Sequence, residues 1–401
     1  MRMGLDMSLR GLLSAVASSV YAAYALAERF TVPEYWVSGT QYSPITTLPG
    51  YSFTRSGTQG AVDASGAVQF FAPNVAAINS AGYHAYGALT NHALQSQSFG
   101  TTWAARGVCP VTENSTVAPD GTTTADTLAL PADSNGGREQ AGITTAGSSN
   151  TFSVFVKTAS GTKGFSLQTF NGGTIQSSGT LTATTAWQRF TLHATHTNPS
   201  QLIIMSNGVA GDLIVWQAQV IAGNFPNGGP IITTTTAAVG IGASVFSHSP
   251  PAMPDADCMV WVTQTFQNVA TDHFGLQISN AGETETITLY HTSAPVLRGY
   301  IQVGGVLVYD QSVAGAIVAG TQITFVMRRL SGSWRVGKIV AGVLTWATAG
   351  AAAMPTGLTK VSVGNTHTGA LQTSGNVRGA FIKQATYTTD AEVLAAVAET
   401  A

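Results

Sequence analysis

Residues 151–157 read Thr-Phe-Ser-Val-Phe-Val-Lys, and this heptapeptide sets the period of the chain. On an extended strand Phe152, Val154 and Val156 fall on one side, Ser153 and Phe155 on the other. The rhythm continues through 164–169 (GFSLQT), 187–193 (WQRFTLH), 202–205 and 212–221 (DLIVWQAQVI). Between these runs lie Ser160-Gly161, Asn171-Gly172-Gly173, Asn207-Gly208 and Asn227-Gly228-Gly229, which favour tight turns. Short strands at regular spacing, with no helical pattern between them, predict a β-sandwich.

A second series follows Ser247-His248-Ser249-Pro250-Pro251, which reads as a linker. Its strand-like runs are 259–265 (MVWVTQT), 273–278, 285–290, 300–309, 321–328, 334–340, 343–346, 361–363 and 377–387. Only 389–397 reads as helical there, with Thr389 or Asp390 as N-cap and Glu392 at the positive end of the helix dipole. No repeat with a period of about 20–50 residues is present, so neither a solenoid nor a propeller is indicated.

Composition narrows the function classes. The chain has 401 residues, of which 9% are charged, and its net charge is −2. An ordinary soluble domain carries about 25% charged residues. No basic field exists to hold a phosphate backbone, so nucleic acid is not an expected partner. With 44% apolar residues the chain is not disordered either. Cys109 and Cys258 form no metal-ligand spacing and are expected to be buried thiols. A surface of Ser, Thr, Gly, Asn and Gln suits close packing and hydroxyl-rich ligands.

The first thirty residues carry three readings. Arg2 and Arg10, an uncharged stretch from Gly11 to Ala27 and Ala25-Leu26-Ala27 together resemble a secretory signal. The 17-residue stretch, with Ser14, Ser18 and Ser19, is short and polar for a membrane span, which needs ~20 apolar residues. The favoured reading is periodic. Leu9, Leu13, Val16, Val20, Ala23 and Ala27 follow a seam of alternating four- and three-residue steps. That predicts an N-terminal helix packing on copies of itself, as in a homotrimer, or in a socket on a partner. The plainer alternative is a helix covering its own domain.

Several motifs in 51–235 occur in a fixed order. Phe53-Thr54-Arg55 precedes Asp63-Ala64-Ser65-Gly66, then Ala72-Pro73-Asn74-Val75. Thr90-Asn91, Ser96-Gln97-Ser98-Phe99 and Trp103 follow, then 118–126 (APDGTTTAD). The set closes with Phe152-Ser153-Val154, Trp187-Gln188-Arg189-Phe190, Trp216-Gln217-Ala218-Gln219 with Gly223, Phe225-Pro226 and Ile231-Ile232-Thr233. Together they resemble a module of tailed-bacteriophage virion proteins found in tail fibres, appendages and head spikes. His92 stands for a leucine of that pattern, Ile221 for an acidic residue and Ile232 for a proline. The resemblance implies a jelly-roll sandwich similar to carbohydrate-binding modules. Residues 240–401 resemble concanavalin-like (laminin-G-like) sandwiches through their strand rhythm, Trp334-Arg335-Val336-Gly337 and the ending Tyr387 to Val393. Many such domains bind glycans and some bind calcium.

Glu283 and Glu285 would share one side of a strand, and a carboxylate pair is what glycoside hydrolysis needs; a solvated strand end is the simpler reading. Asp255, Asp257 and Asp272 are a candidate oxygen set for calcium, though no dense acidic run supports it. No other cofactor is expected. His193 and His196 would face opposite sides and cannot share a metal. Asn114-Ser115-Thr116 fits a glycosylation sequon, relevant only in a eukaryotic secretory pathway. Tyr290, His291 and Tyr300 flank one turn region and are the candidate glycan-binding set. Tyr83, His84 and Tyr86 form a second aromatic group, better read as packing.

The expected architecture is mostly β: an N-terminal helix and attachment segment (1–50), then two antiparallel β-sandwich, jelly-roll domains (51–238 and 239–401). The expected function is that of a phage virion structural protein on the particle surface, a head spike, decoration protein or tail-fibre-like appendage. It would bind host-surface polysaccharide and other virion proteins and aid adsorption without being an enzyme. The alternatives are a glycan-cleaving depolymerase and a purely structural capsid cement protein.

Overall fold

Strand Asn150–Lys157 is buried along its length up to Lys157, on both of its faces. The computed structural model explains why, and it describes residues 21, 23–143, 149–195, 200–223, 229–234, 239–267, 271–294, 296–370 and 375–400. Phe152, Val154 and Val156 enter a core with Leu128, Phe165, Leu202 and Leu213. On the opposite face Phe155 packs on Trp216, with ring centroids 5.3 Å apart. Val62, Val68 and Phe70 of the hairpin Gln59–Val62/Val68–Phe71 cover that pair. A strand buried on both faces loses the polar-out half of its alternation, which is why Phe155 stands where a polar residue would otherwise serve.

This unit comprises the described residues of Arg55–Ala77 and Ala88–Ala243. Among them, five strands run in the order Val111–Thr116, Ala125–Leu130, Gly211–Ala222, Asn150–Lys157, Gln188–Ala194. The other sheet is built on Ala104–Arg106, Gly137–Ala141, Gln201–Ser206, Lys163–Phe170 and Ile175–Ser177. Every pairing in both is antiparallel, and the two inner faces share one core. Such a sandwich buries alternate residues of each strand.

The second unit contains Ile78–Gly87, the described residues before Thr54 and those from Ser244 onward. Its larger sheet carries the order Glu34–Val37, Leu26–Arg29, Gly375–Lys383, Cys258–Phe266, Gln322–Leu330, Ser333–Val340, Val343–Trp346. Its seven-stranded sheet runs Val306–Val313, Leu297–Val303, Thr286–His291, His273–Ser279, Lys360–Val363, Val245–His248, Ser52–Thr54. The two sheets meet closely at Gly299. A Cβ there would lie 2.5 Å from the Met327 methyl and 2.9 Å from the Val336 Cβ across the core. Glycine is what lets the strands approach. On the far face of the larger sheet, helix Asp390–Ala398 lays Val393 and Ala396 on Trp261 and Phe381. Thr389 is its N-cap, in a reciprocal capping box with Glu392.

Two sequence expectations change here. The helical seam does not reach Ala27: Ala23 is exposed in a turn, and Ala27 is buried in strand Leu26–Arg29. That strand lies between Glu34–Val37 and Gly375–Lys383, which satisfy its backbone groups from both sides. Small residues fit either period, so distant pairing partners decide. Leu9, Leu13, Val16 and Val20 lie outside the described residues. The helix that is described stands at the other end of the chain, at Asp390–Ala398. The supposed linker is also partly strand, since Val245–His248 pairs with Ser52–Thr54 and Lys360–Val363. No described helix is long and apolar enough to cross a membrane.

Candidate functional site: the outer face of the seven-stranded sheet

The ordered motif residues of the first unit turn out to hold backbone. Buried Arg55 donates through Nη2 to the carbonyls of Phe71 (3.0 Å) and Ala72 (2.9 Å). Asp63 Oδ1 accepts from the amides of Ser65 and Ala67, closing the Asp-Ala-Ser-Gly turn. Asn91 Oδ1 accepts from Ala93 and Val220 amides, while its Nδ2 donates to the Ile231 carbonyl at 2.8 Å. Gln217 and Gln219 bind the two backbone sides of Ile231, each at 2.8 Å. Asp120 ties its own turn to Thr122. Polar groups used by backbone in this way specify loops. Trp216 is buried, and Trp187 packs beside it on the outer cluster, not in the central core.

The second unit is different. Gly299 points into the core, so its neighbours Arg298 and Tyr300 on the same strand point out. Across the ladder Tyr300 is opposite Thr288 and Asp310, and Arg298 is opposite Tyr290. Tyr290 and Tyr300 meet edge to face, with centroids 5.7 Å apart at 80°. Tyr290 stacks on Phe274 at 5.0 Å and 22°, and the Arg298 guanidinium lies 5.9 Å over its ring. Arg298 grips Asp310 in a bidentate pair, Nε to Oδ1 at 2.6 Å and Nη2 to Oδ2. Tyr290 is 8% exposed, whereas Tyr300, Arg298, Gln302 and Asp310 are half-buried and reach solvent.

Loop 364–370 frames one side of this face. Gln277, buried, accepts from the His367 amide at 2.5 Å and donates toward the Tyr300 hydroxyl at 3.4 Å. His367 Nδ1 is 2.8 Å from Ser279 Oγ, and Lys360 Nζ donates to the His367 carbonyl at 2.6 Å. Burial raises the Tyr300 and Tyr290 phenols above their ordinary range, so both are protonated donors at neutral pH. Burial, with Lys360 adding to it, holds His367 below the usual imidazole range. The Asp310 hydrogen bonds raise Arg298 still higher. The result is an aromatic surface ringed by fixed donors and acceptors.

His291 does not belong to the set. Adjacent strand residues face opposite ways, so His291 points into the core while Tyr290 points out. It stacks with His273 at 5.7 Å and against Phe266 at 5.0 Å. Burial, and then the His273 imidazole, push it down to about 4. Arg298, Asp310 and Gln277 join the site without having been among the sequence candidates. The alternation Leu297-Arg298-Gly299-Tyr300-Ile301-Gln302, polar at every even position, carries the signal for Arg298 and Gln302.

The remaining candidates separate. Glu283 and Glu285 lie in a turn, not on a strand. Glu283 Oε1 accepts from the Thr368 amide at 3.2 Å, and Glu285 accepts from Gly304 (2.7 Å) and Thr356 (3.0 Å). Asp255 pairs with Arg329, Asp257 accepts from the Ser331 amide, and Asp272 accepts from the Ser293 amide. Asp255 and Asp257 reach the neighbouring residues Arg329 and Ser331 while Asp272 holds a different loop, and no cluster of three or more metal-ligating side chains occurs among the described residues. Cys109 and Cys258 are buried free thiols, with Cys258 pushed up to about 12 by burial. Tyr83, His84 and Tyr86 are buried, and Tyr83 packs with Phe30, Phe53 and Phe246. His193 and Asn114 are exposed, and His196 lies outside the described residues.

No protein-family model matches the chain, and no curated protein matches it. Its neighbours among solved structures include carbohydrate-binding modules. One is the CBM40 module of the Ruminococcus gnavus IT-sialidase bound to α2,3-sialyllactose. It is 15% identical, with 35% of this chain covering 82% of that one at a TM-score of 0.30. Another is the CBM22-1 xylan-binding domain of Paenibacillus barcinonensis Xyn10C, 15% identical, with 33% of this chain covering 91% of that one at 0.26. The CBM22-1–CBM22-2 tandem of the same protein is 10% identical, with 75% covering 96% at 0.27. The ligands in those descriptions are those proteins' own.

Proposed function

We propose that the chain is a glycan-binding structural component of a tailed-phage virion surface. It would engage host polysaccharide through the outer face of its seven-stranded sheet. The carrying observation is Tyr300: a solvent-reaching ring set beside the Arg298–Asp310 pair, with Gln277 behind its hydroxyl. A pyranose presents an apolar C–H face and a rim of hydroxyls. The ring takes the face, and the guanidinium, carboxylate and phenol take the rim. Each contact is weak, and copy number on a particle would multiply it.

The virion assignment is supported by the ordered motifs of 51–235 and by the low charge, which suits permanent packing. A binding role is favoured over cleavage because both carboxylates of the candidate pair are occupied by backbone amides. Two experiments test the reading. The intact chain on an array of bacterial surface polysaccharides should bind some members, and failure to bind any contradicts glycan recognition. Antibody against the chain should decorate the outside of assembled particles that contain it. Labelling confined to soluble material would contradict the virion assignment.

A further inference from the structure

Charge on this face is scarce and already committed. Arg298 uses two of its nitrogens on Asp310. Lys360 donates to the His367 carbonyl and lies in the field of Glu283. Two carboxylates, Asp310 and Glu283, stand against these two cations, so the described face is balanced in charge. His367, the remaining titratable group on the loop, is held neutral at pH 7 by burial and by Lys360.

A sugar carboxylate is held most strongly by an unpaired guanidinium or ammonium. Among the described residues around Tyr300 each cation already has a carboxylate partner, Asp310 for Arg298 and Glu283 for Lys360. To take a uronate, Arg298 would have to leave Asp310, stranding a half-buried carboxylate beside a second negative charge. A neutral sugar asks for no such exchange. Arg298 retains Nη1 as a donor, each Asp310 oxygen retains a lone pair, and both groups are fixed by their pairing. One hydroxyl can donate to Asp310 while its neighbour accepts from Arg298, which is the pattern of a vicinal diol.

We propose that this face selects neutral polysaccharides and refuses uronate- or sialate-bearing ones, with the Arg298–Asp310 pair reading vicinal hydroxyls beside the Tyr300 ring. The inference rests on the glycan-binding reading above and narrows its substrate class. It also predicts how binding responds to salt. Recognition by a neutral pair of a neutral ligand has little long-range electrostatics to screen, whereas binding of a polyanion is screened strongly.

The test uses the full chain against a panel of bacterial polysaccharides sorted into neutral and acidic sets, at about 20 mM and about 500 mM NaCl, where screening differs severalfold. The intact protein is expected to bind only neutral members, with affinity changing less than about twofold between the two salts. Asp310→Asn frees the guanidinium. It should gain binding to acidic members at low salt and lose that gain at high salt. Arg298→Lys keeps the charge but not the fork, and should weaken neutral binding by about tenfold without admitting acidic members. That second variant serves if Asp310→Asn fails to fold, as judged by circular dichroism. Low-salt binding of acidic members by the intact protein overturns the inference and leaves glycan recognition standing, as does neutral binding unchanged in both folded variants. No binding to either set removes glycan recognition itself, and the inference with it.

Discussion

Glu28 and His248 face each other inside the second unit, with Nε2 3.0 Å from Oε1 and both side chains fully buried. His248 Nδ1 is 2.7 Å from the Ser249 carbonyl, which orients the ring. The pair ties strand Leu26–Arg29 of one sheet to Val245–His248 of the other. Removing one partner leaves the other a buried polar group without compensation, and Glu28→Ala or His248→Ala is expected to cost about 1–3 kcal/mol. Urea unfolding measures it, and a cost below ~1 kcal/mol would show that the contact is dispensable. His291 gives a pH signature. Its folded pKa is lowered from 6.5 to about 4, so the unfolded chain binds the proton more tightly. Its contribution is complete above pH 6.5 and is lost as pH falls towards 4, amounting to roughly 3 kcal/mol. His291→Leu should flatten thermal stability across that window, and an unchanged slope would assign the acid sensitivity elsewhere.

At the scale of elements, the C-terminal helix is set by its capping box. Thr389→Ala removes the acceptor for the Glu392 amide and is expected to cost about 1 kcal/mol. Calorimetry would register this as a lower Tm, while the core of the first unit stays as it was. Both this helix and most strands are legible in the sequence, because period and capping are local properties. The placement of Leu26–Arg29 is not. Its partner strand Gly375–Lys383 lies some 350 positions along the chain, and nothing local distinguishes a small-residue helix from a strand waiting for that partner. The same holds for His248, hidden in a Ser/Pro-rich stretch that looks like a linker. Of the candidate site, Tyr290 and Tyr300 are legible as a pair. His291 is misplaced by one residue of alternation, and loop 364–370 enters only through long-range bonds to Gln277 and Ser279.

At the scale of the whole molecule, two sandwiches divide the work. In the first, conserving polar side chains for backbone leaves the motif residues as scaffold, as Arg55, Asn91 and Gln217 show. In the second, Arg298, Tyr300 and Asp310 on the outer face are half-buried and keep part of their surface in solvent. The low charge fits both: few ionic groups are needed to fold, and Arg298 and Asp310 on the outer face pair with each other. The claim at the centre is that Tyr300 is a sugar platform. Calorimetric titration of the full chain with a polysaccharide it binds, repeated for Tyr300→Ala and Tyr300→Phe, tests this most directly. The account predicts that Tyr300→Ala weakens binding by about tenfold or more, about 1.4 kcal/mol, while Tyr300→Phe keeps the ring and stays within a few-fold. Equal affinity for the intact chain and for folded Tyr300→Ala would contradict it.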